Sequence, residues 1–234
     1  MSDDNDLAAL PTVELRNQPG YRLVNSKFPP IAIFDDVADN AEFEALYRLQ
    51  AQTNPRLLDA VGAIRLVPPE RRPFGIAGCN YALGPFVHLN ALGSRFSSGE
   101  FGVLYAADHI DAAIAETRYH QQRYFQQRVT GLKYDRIVMR GLKLTFSALL
   151  LDIREPANDV HGWYDRDDYG AAQKLGAQLK RADGDGACYR SVRAPAHTCY
   201  ALFSPHLVHA VVQTRHYEYL WDGTQISAVV ALGE

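Results

Sequence analysis

Ser94-Arg95-Phe96-Ser97-Ser98-Gly99-Glu100-Phe101-Gly102-Val103-Leu104-Tyr105, continuing through Ala106-Ala107-Asp108 to Glu116, is the stretch whose reading decides the fold. Its glycines punctuate a loop. Phe101, Val103 and Tyr105 then alternate with Gly102 and Leu104, as a short buried strand over residues 100–105 requires. Asp108 is placed to cap a helix near residues 109–127. The apolar stripe of that helix runs Ile110, Ala113, Ile114, Thr117 and Tyr124, with Glu116 at its edge. Loop, strand end and helix thus carry a cation (Arg95), a phenol (Tyr105) and a carboxylate (Glu116) that converge if the three elements bound one cleft.

Outward from this run the chain reads as strands with a few helices among them. Residues 1–20, ending in Gln18-Pro19-Gly20, are expected to form a mobile lead-in. Over residues 21–34 Pro29-Pro30 prevents a continuous central strand. Asn40 caps a helix over residues 41–52 with Phe43, Leu46 and Tyr47 on one side, and Asn54-Pro55 ends it. Residues 1–60 are therefore expected to be a small N-terminal helical extension without chemistry of its own, or else a partner or dimer surface. Residues 61–234 are expected to form the main domain.

Within that domain, residues 60–67 and 86–89 are strand-like. Residues 136–153 are a long β-rich run that Gly141 kinks or divides. Residues 169–181 have an amphipathic helical pattern, followed by a turn at 182–186. Residues 188–192, 198–203 and 210–220 are strand candidates, and Asp222-Gly223 signals a hairpin to 225–232. The class expected is α+β.

Bulk properties narrow the function. A net charge of -3 and a pI of about 6.2 argue against a dedicated nucleic-acid binder. Three scattered cysteines, Cys79, Cys188 and Cys199, make neither a disulfide framework nor a Cys-x-x-Cys metal knuckle. The start, Met1-Ser2-Asp3-Asp4-Asn5-Asp6, lacks the basic and apolar regions of a signal peptide, and no apolar run is long enough to span a bilayer. A cytoplasmic location follows as the expectation.

The quoted pieces combine into a family pattern. Ser94-Arg95-Phe96 with Gly99, Val103-Leu104-Tyr105 and Ala112 through Glu116 resemble the RES domain, the toxin half of RES–Xre toxin–antitoxin modules. Gly186-Ala187-Cys188-Tyr189-Arg190-Ser191-Val192-Arg193, followed by Ala201-Leu202-Phe203, resembles the same family's serine motif. The likeness covers roughly residues 75–215, and residues 21–70, with Thr53-Asn54-Pro55-Arg56, resemble the extension of a longer subgroup. Ser94 and Ser97 depart from the usual glycine and asparagine of the loop.

The resemblance implies an ADP-ribosyltransferase-like split β-sheet core with flanking helices. It implies catalytic roles for Arg95, Tyr105, Glu116 and Ser191, with NAD+ attacked as substrate and no resident cofactor or metal. It implies an Xre-type antitoxin as partner, nucleic acid met only through that antitoxin, and room for a homo-oligomer within the complex.

The residue types suit such chemistry. Breaking the nicotinamide–ribose bond develops positive charge on the sugar, which a fixed carboxylate stabilises. A guanidinium grips pyrophosphate or ribose oxygens, a phenol offers a flat face and a hydroxyl, and a serine bonds without adding charge. Transfer of ADP-ribose to a protein, and a non-catalytic antitoxin-binding module, stand as alternatives. So does a plain structural reading in which Arg95 and Glu116 form an ion pair and Tyr105 is an ordinary strand-end aromatic.

Other candidates are weaker. The histidines make no metal-ligand spacing, and Cys188 and Cys199 have no histidine motif beside them. Ser191 lacks a nucleophile elbow, and no dinucleotide fingerprint is present. His120 reads as a solvated helix histidine and residues 65–72 as a solvated surface. Arg65 and His88 are left without a role.

Overall fold

The computed structural model describes residues 10–28, 32–51, 61–129 and 131–233. The β-rich run forms one unbroken strand of 18 residues, β3 (Asp135–Asp152). Side chains alternate across a strand, so β3 feeds two cores. Ile137, Met139 and Leu151 enter one, while Leu142, Leu144, Phe146 and Leu150 enter the other. Gly141 does not divide β3. The irregularity falls on the neighbouring strand β6 (Val208–Trp221), whose register shifts opposite Gly141. A Cβ there would stand 2.5 Å from Thr214 Oγ1 and 2.8 Å from the Arg215 carbonyl oxygen, so only glycine fits.

Around β3 the sheet assembles in two blocks. Strand β1 (Thr12–Asn25) pairs antiparallel with β3 from Thr12↔Leu151 to Asn25↔Met139, β6 flanks β3 on the other side, and β7 (Ile226–Leu232) closes that block through the expected hairpin. The second block is β2 (Leu104–Ala107), β5 (Thr198–Leu202) and β4 (Gly186–Arg190), all antiparallel. Two short contacts join the blocks: Tyr21↔Ala107, and the parallel pairs Leu151↔Ala187 and Asp152↔Cys188.

Helices cover both faces. The short helix α1 (Ala32–Asp35), α2 (Asn40–Ala51) and α3 (Cys79–Val87) pack on one side, where Phe34, Phe43 and Leu83 meet Leu144, Phe146 and Leu202. Helices α4 (Ile110–Arg128) and α5 (Gly170–Arg181) cover the other, where Ala112, Phe125 and Leu175 meet Met139, Tyr219 and Phe203. The result is a mixed α+β fold with a central sheet and flanking helices, the class expected.

Several elements differ from the sequence reading. Residues 12–20 are not a lead-in but the first part of β1. A register shift between Leu15 and Gln18, with Asn17 at φ 49° and its amide bonded to Ser147 Oγ at 3.0 Å, absorbs the Gln18-Pro19-Gly20 turn signal. Residues 64–66 form a 3-10 turn instead of a strand. Phe86 and Val87 end α3, whose helical spacing of Cys79, Ala82, Leu83, Phe86 and Val87 is disguised by Gly84-Pro85.

The strand expected at 100–105 is shorter and later, Leu104–Ala107, because Ser97 Oγ donates to the Phe101 carbonyl at 2.7 Å and holds the segment as a turn. Asp108 does not cap α4. His109 does, accepting from the Asp111 amide through its ring. Pro29-Pro30 and the 53–56 segment lie outside the described residues.

Because β1 pairs along most of β3, removing residues 1–20 is expected to cost about 3–5 kcal/mol, as loss of a large core side chain does, and to lower Tm by about 10 °C. Thermal unfolding of the truncated chain checks this. An unchanged Tm would restore the lead-in reading.

Candidate active site

The loop that carries Arg95 is fixed from two directions. From β2, the Tyr105 hydroxyl accepts the Phe96 amide at 3.0 Å and shares a hydrogen bond with Ser94 Oγ at 2.9 Å. From α5, Gln173 Nε2 donates to the Ser94 carbonyl at 3.0 Å, and a Cβ on Gly176 would fall 1.9 Å from the Phe96 carbonyl oxygen. Helix and loop can approach this closely only over glycine. Arg95 is thereby directed inward and is 8% exposed. Its Nη1 donates to the carbonyls of Trp163 and Asp165, both at 2.9 Å, and its guanidinium lies 4.6 Å from the Tyr169 ring centroid.

Glu116 is held from the other side of the fold. Ser191, just past β4 and 1% exposed, donates from Oγ to Glu116 Oε1 at 2.6 Å, and the Arg193 amide donates to the same oxygen at 3.3 Å. Ser191 Oγ in turn accepts the Ala194 amide at 2.9 Å. Among the described residues no donor reaches Glu116 Oε2. The 191–197 loop is pinned to the start of α4 by Asp108, whose carboxylate accepts the Thr198 amide at 2.9 Å and meets His197 Nδ1 at 3.0 Å. The aspartate expected to begin the helix therefore fixes the serine's loop instead.

Tyr189 stands between the two sides. Its ring meets Phe96 edge-on at 5.1 Å. Burial pushes its phenol well above the ordinary range, and the fields of Glu116 and Tyr105 add to the rise while Arg95 opposes it. The segment 163–167 is gripped by both sides: Arg95 takes two of its carbonyls, and Arg193, stacked 3.3 Å from the Tyr119 ring centroid, donates to the Arg166 carbonyl.

The structure pairs Glu116 with Ser191 directly and ties Tyr105 to the loop of Arg95. Among the described residues Arg95 and Glu116 form no ion pair, so the plain structural reading of those two is not what is seen. His120 is exposed on α4. Arg65 lies on the 3-10 turn and His88 caps the end of α3. Burial pushes each cysteine thiol up to about 12, which leaves no thiolate nucleophile at neutral pH. Among the described residues no group of three His, Cys, Asp or Glu is placed to hold a metal, and no helix is long and apolar enough to cross a membrane.

Sequence reasoning missed Tyr189, Arg193, Asp108, Gln173 and Gly176. The first two stand inside the quoted serine motif. The other three carry no local signal for a role at the site.

The family model described as the RES domain matches residues 72–222. An uncharacterized protein, y4oC, of Sinorhizobium fredii (strain NBRC 101917 / NGR234) is 31% identical over 218 residues, covering 92% of this chain and 87% of that protein. Among solved structures, the M. tuberculosis MbcT–MbcA toxin–antitoxin complex aligns with a TM-score of 0.45 at 11% identity, covering 90% of this chain and 91% of the other.

Two outcomes are expected. Gly176→Ala forces the Phe96 carbonyl away from α5 and destabilises by about 1–3 kcal/mol in urea unfolding. Burial pushes the Tyr105 phenol up to about 12, with its hydrogen bonds to Ser94 and Phe96 and the charge of Arg95 only partly opposing. An unfolded phenol titrates near pH 10. Its stabilising contribution is therefore whole below about pH 10 and is lost as pH rises through the folded value. Phenolate absorbance against pH, compared with Tyr105→Phe, should show one late-titrating group missing from the variant.

Proposed function

The chain belongs to the RES domain family, and from that premise we propose that it is a toxin that degrades NAD+ by cleaving the nicotinamide–ribose bond, as a glycohydrolase or a phosphorylase. Family membership supports NAD-processing catalysis in general terms. The observation that carries the specific reading is the 2.6 Å bond from Ser191 Oγ to Glu116 Oε1, made by residues 75 positions apart. A carboxylate oriented through one oxygen keeps the other for a ligand. The two-block sheet supports an ADP-ribosyltransferase-like reading of the fold.

In this mechanism the bond from ribose C1′ to the nicotinamide nitrogen breaks, and its electron pair leaves with the neutral ring. Glu116 stabilises the oxocarbenium-like sugar and holds a ribose hydroxyl. Ser191 keeps the carboxylate in place. Arg95, anchored through Nη1, presents the rest of its fork to a phosphate or ribose oxygen. The hydroxyl of Tyr105 is already engaged with the loop, so its part is the ring face and the positioning of Arg95. An oxygen of water or phosphate then bonds to C1′ and gives up a proton. An Xre-type antitoxin partner belongs to the same proposal and rests on the family.

Purified protein incubated with NAD+, with and without phosphate and with lysate protein, tests this. Free nicotinamide with ADP-ribose or its phosphate ester is the expected product, whereas label fixed on protein would replace the reading with transfer. Glu116→Gln should lower turnover by about 10²-fold or more, in line with removal of one preorganised electrostatic group. Undiminished turnover in that variant would remove Glu116 from the mechanism.

A further inference from the structure

Buried polar atoms without partners concentrate on one patch away from that site. Of the five such side-chain atoms among the described residues, four belong to Arg22 (Nε and Nη1), Ser26 (Oγ) and Arg140 (Nε). The register places these three residues together. Val24 lies directly opposite Arg140, Arg22 lies opposite Leu142, and the Ser26 amide donates to the Val138 carbonyl. Residues two apart on a strand share a face, as do directly opposed residues. Arg140 is therefore the diagonal neighbour of both Arg22 and Ser26, with Cα atoms about 7–8 Å apart. Val24 and Leu142 pack in the core beneath α1–α3, whereas Leu23 packs in the core beneath α4. The patch thus lies across the sheet from Glu116.

No described acid neutralises it. Glu218, which register places on the same face, is 3.5 Å from Arg136, and the Asp35 carboxylate on α1 is engaged by Asn80. Tyr81 on α3 adds a hydroxyl, which accepts from Arg140 Nη1 at 3.1 Å. Burial alone pulls the Arg22 guanidinium down to about 10, with no charged partner to offset it. Two guanidinia without counter-charge, beside an orphan hydroxyl, are costly in a protein interior unless an anion joins them. Arg22, Ser26 and Arg140 each keep partial exposure, so the patch is reached from solvent.

We propose that Arg22, Arg140 and Ser26 form a phosphate-binding site at the seam between the N-terminal helices and the sheet, separate from the Glu116 cluster. A phosphoryl dianion matches two guanidinia in charge, where a carboxylate supplies one negative charge. It accepts the planar donor pairs of both arginines as well as the Ser26 hydroxyl.

Calorimetry and thermal unfolding with inorganic phosphate, and separately with AMP, at matched ionic strength test this. Saturable binding is expected, with a Tm rise of about 5–10 °C at a hundredfold excess over Kd. Binding of phosphate itself identifies free phosphate as sufficient, and binding of AMP alone identifies a nucleotide phosphate. Arg22→Met should abolish the effect and Ser26→Ala weaken it, while Arg95→Ala should retain it. Absence of saturable binding by either probe in the unmodified chain overturns the proposal, and so does binding that survives Arg22→Met or is lost in Arg95→Ala.

Discussion

Backbone pairing along one strand is the constraint from which the rest of the molecule follows. β3 is too long to belong to one block of the sheet. Its body lies between β1 and β6, and its last residues, Leu151 and Asp152, pair in parallel with β4. That short parallel contact fixes β4 against the larger block. Ser191 leaves β4 one residue past its end, so its position is set by where β3 stops. Tyr21↔Ala107 does the corresponding work for β2, and through Tyr105 for the Arg95 loop.

The cluster that results is assembled by residues that hold other residues. Asp108 anchors the serine's loop, Tyr105 anchors the arginine's loop, and Gly176 lets α5 lie against the Phe96 backbone. Arg95 and Arg193 grip one irregular segment, 163–167, from opposite sides. With these supports, the Glu116 carboxylate and the Arg95 guanidinium take separate partners and, among the described residues, do not pair.

The two faces of the sheet treat buried charge differently. On the α4 face both candidate charged groups have protein partners: Glu116 has Ser191, and Arg95 has two carbonyls. On the opposite face Arg22 and Arg140 keep sealed nitrogens without acceptors among the described residues. Buried polar groups in folded proteins are nearly always satisfied. A grouping of exceptions within one strand ladder therefore points to a ligand more directly than a single orphan atom does.

Local chemistry is where the sequence was legible. The alternation through 136–153, the amphipathic 169–181 and the Asp222-Gly223 hairpin all depend on near neighbours, and they fix the α+β class and most element positions. The resemblance of its motifs to the RES domain likewise points to Arg95, Tyr105, Glu116 and Ser191 as candidates. Where distant groups outweighed local propensity the reading failed. Pro19-Gly20 look like a turn until β3 supplies twelve positions of pairing, and Asp108 looks like a cap until Thr198 and His197 approach it. Residue types and periods are written along the chain, so the sequence by itself determined the class, the elements and the candidate side chains. Which oxygen meets which donor, and which arginines lack a counter-charge among the described residues, depends on contacts between residues far apart in the chain, and only the packed sheet decided those.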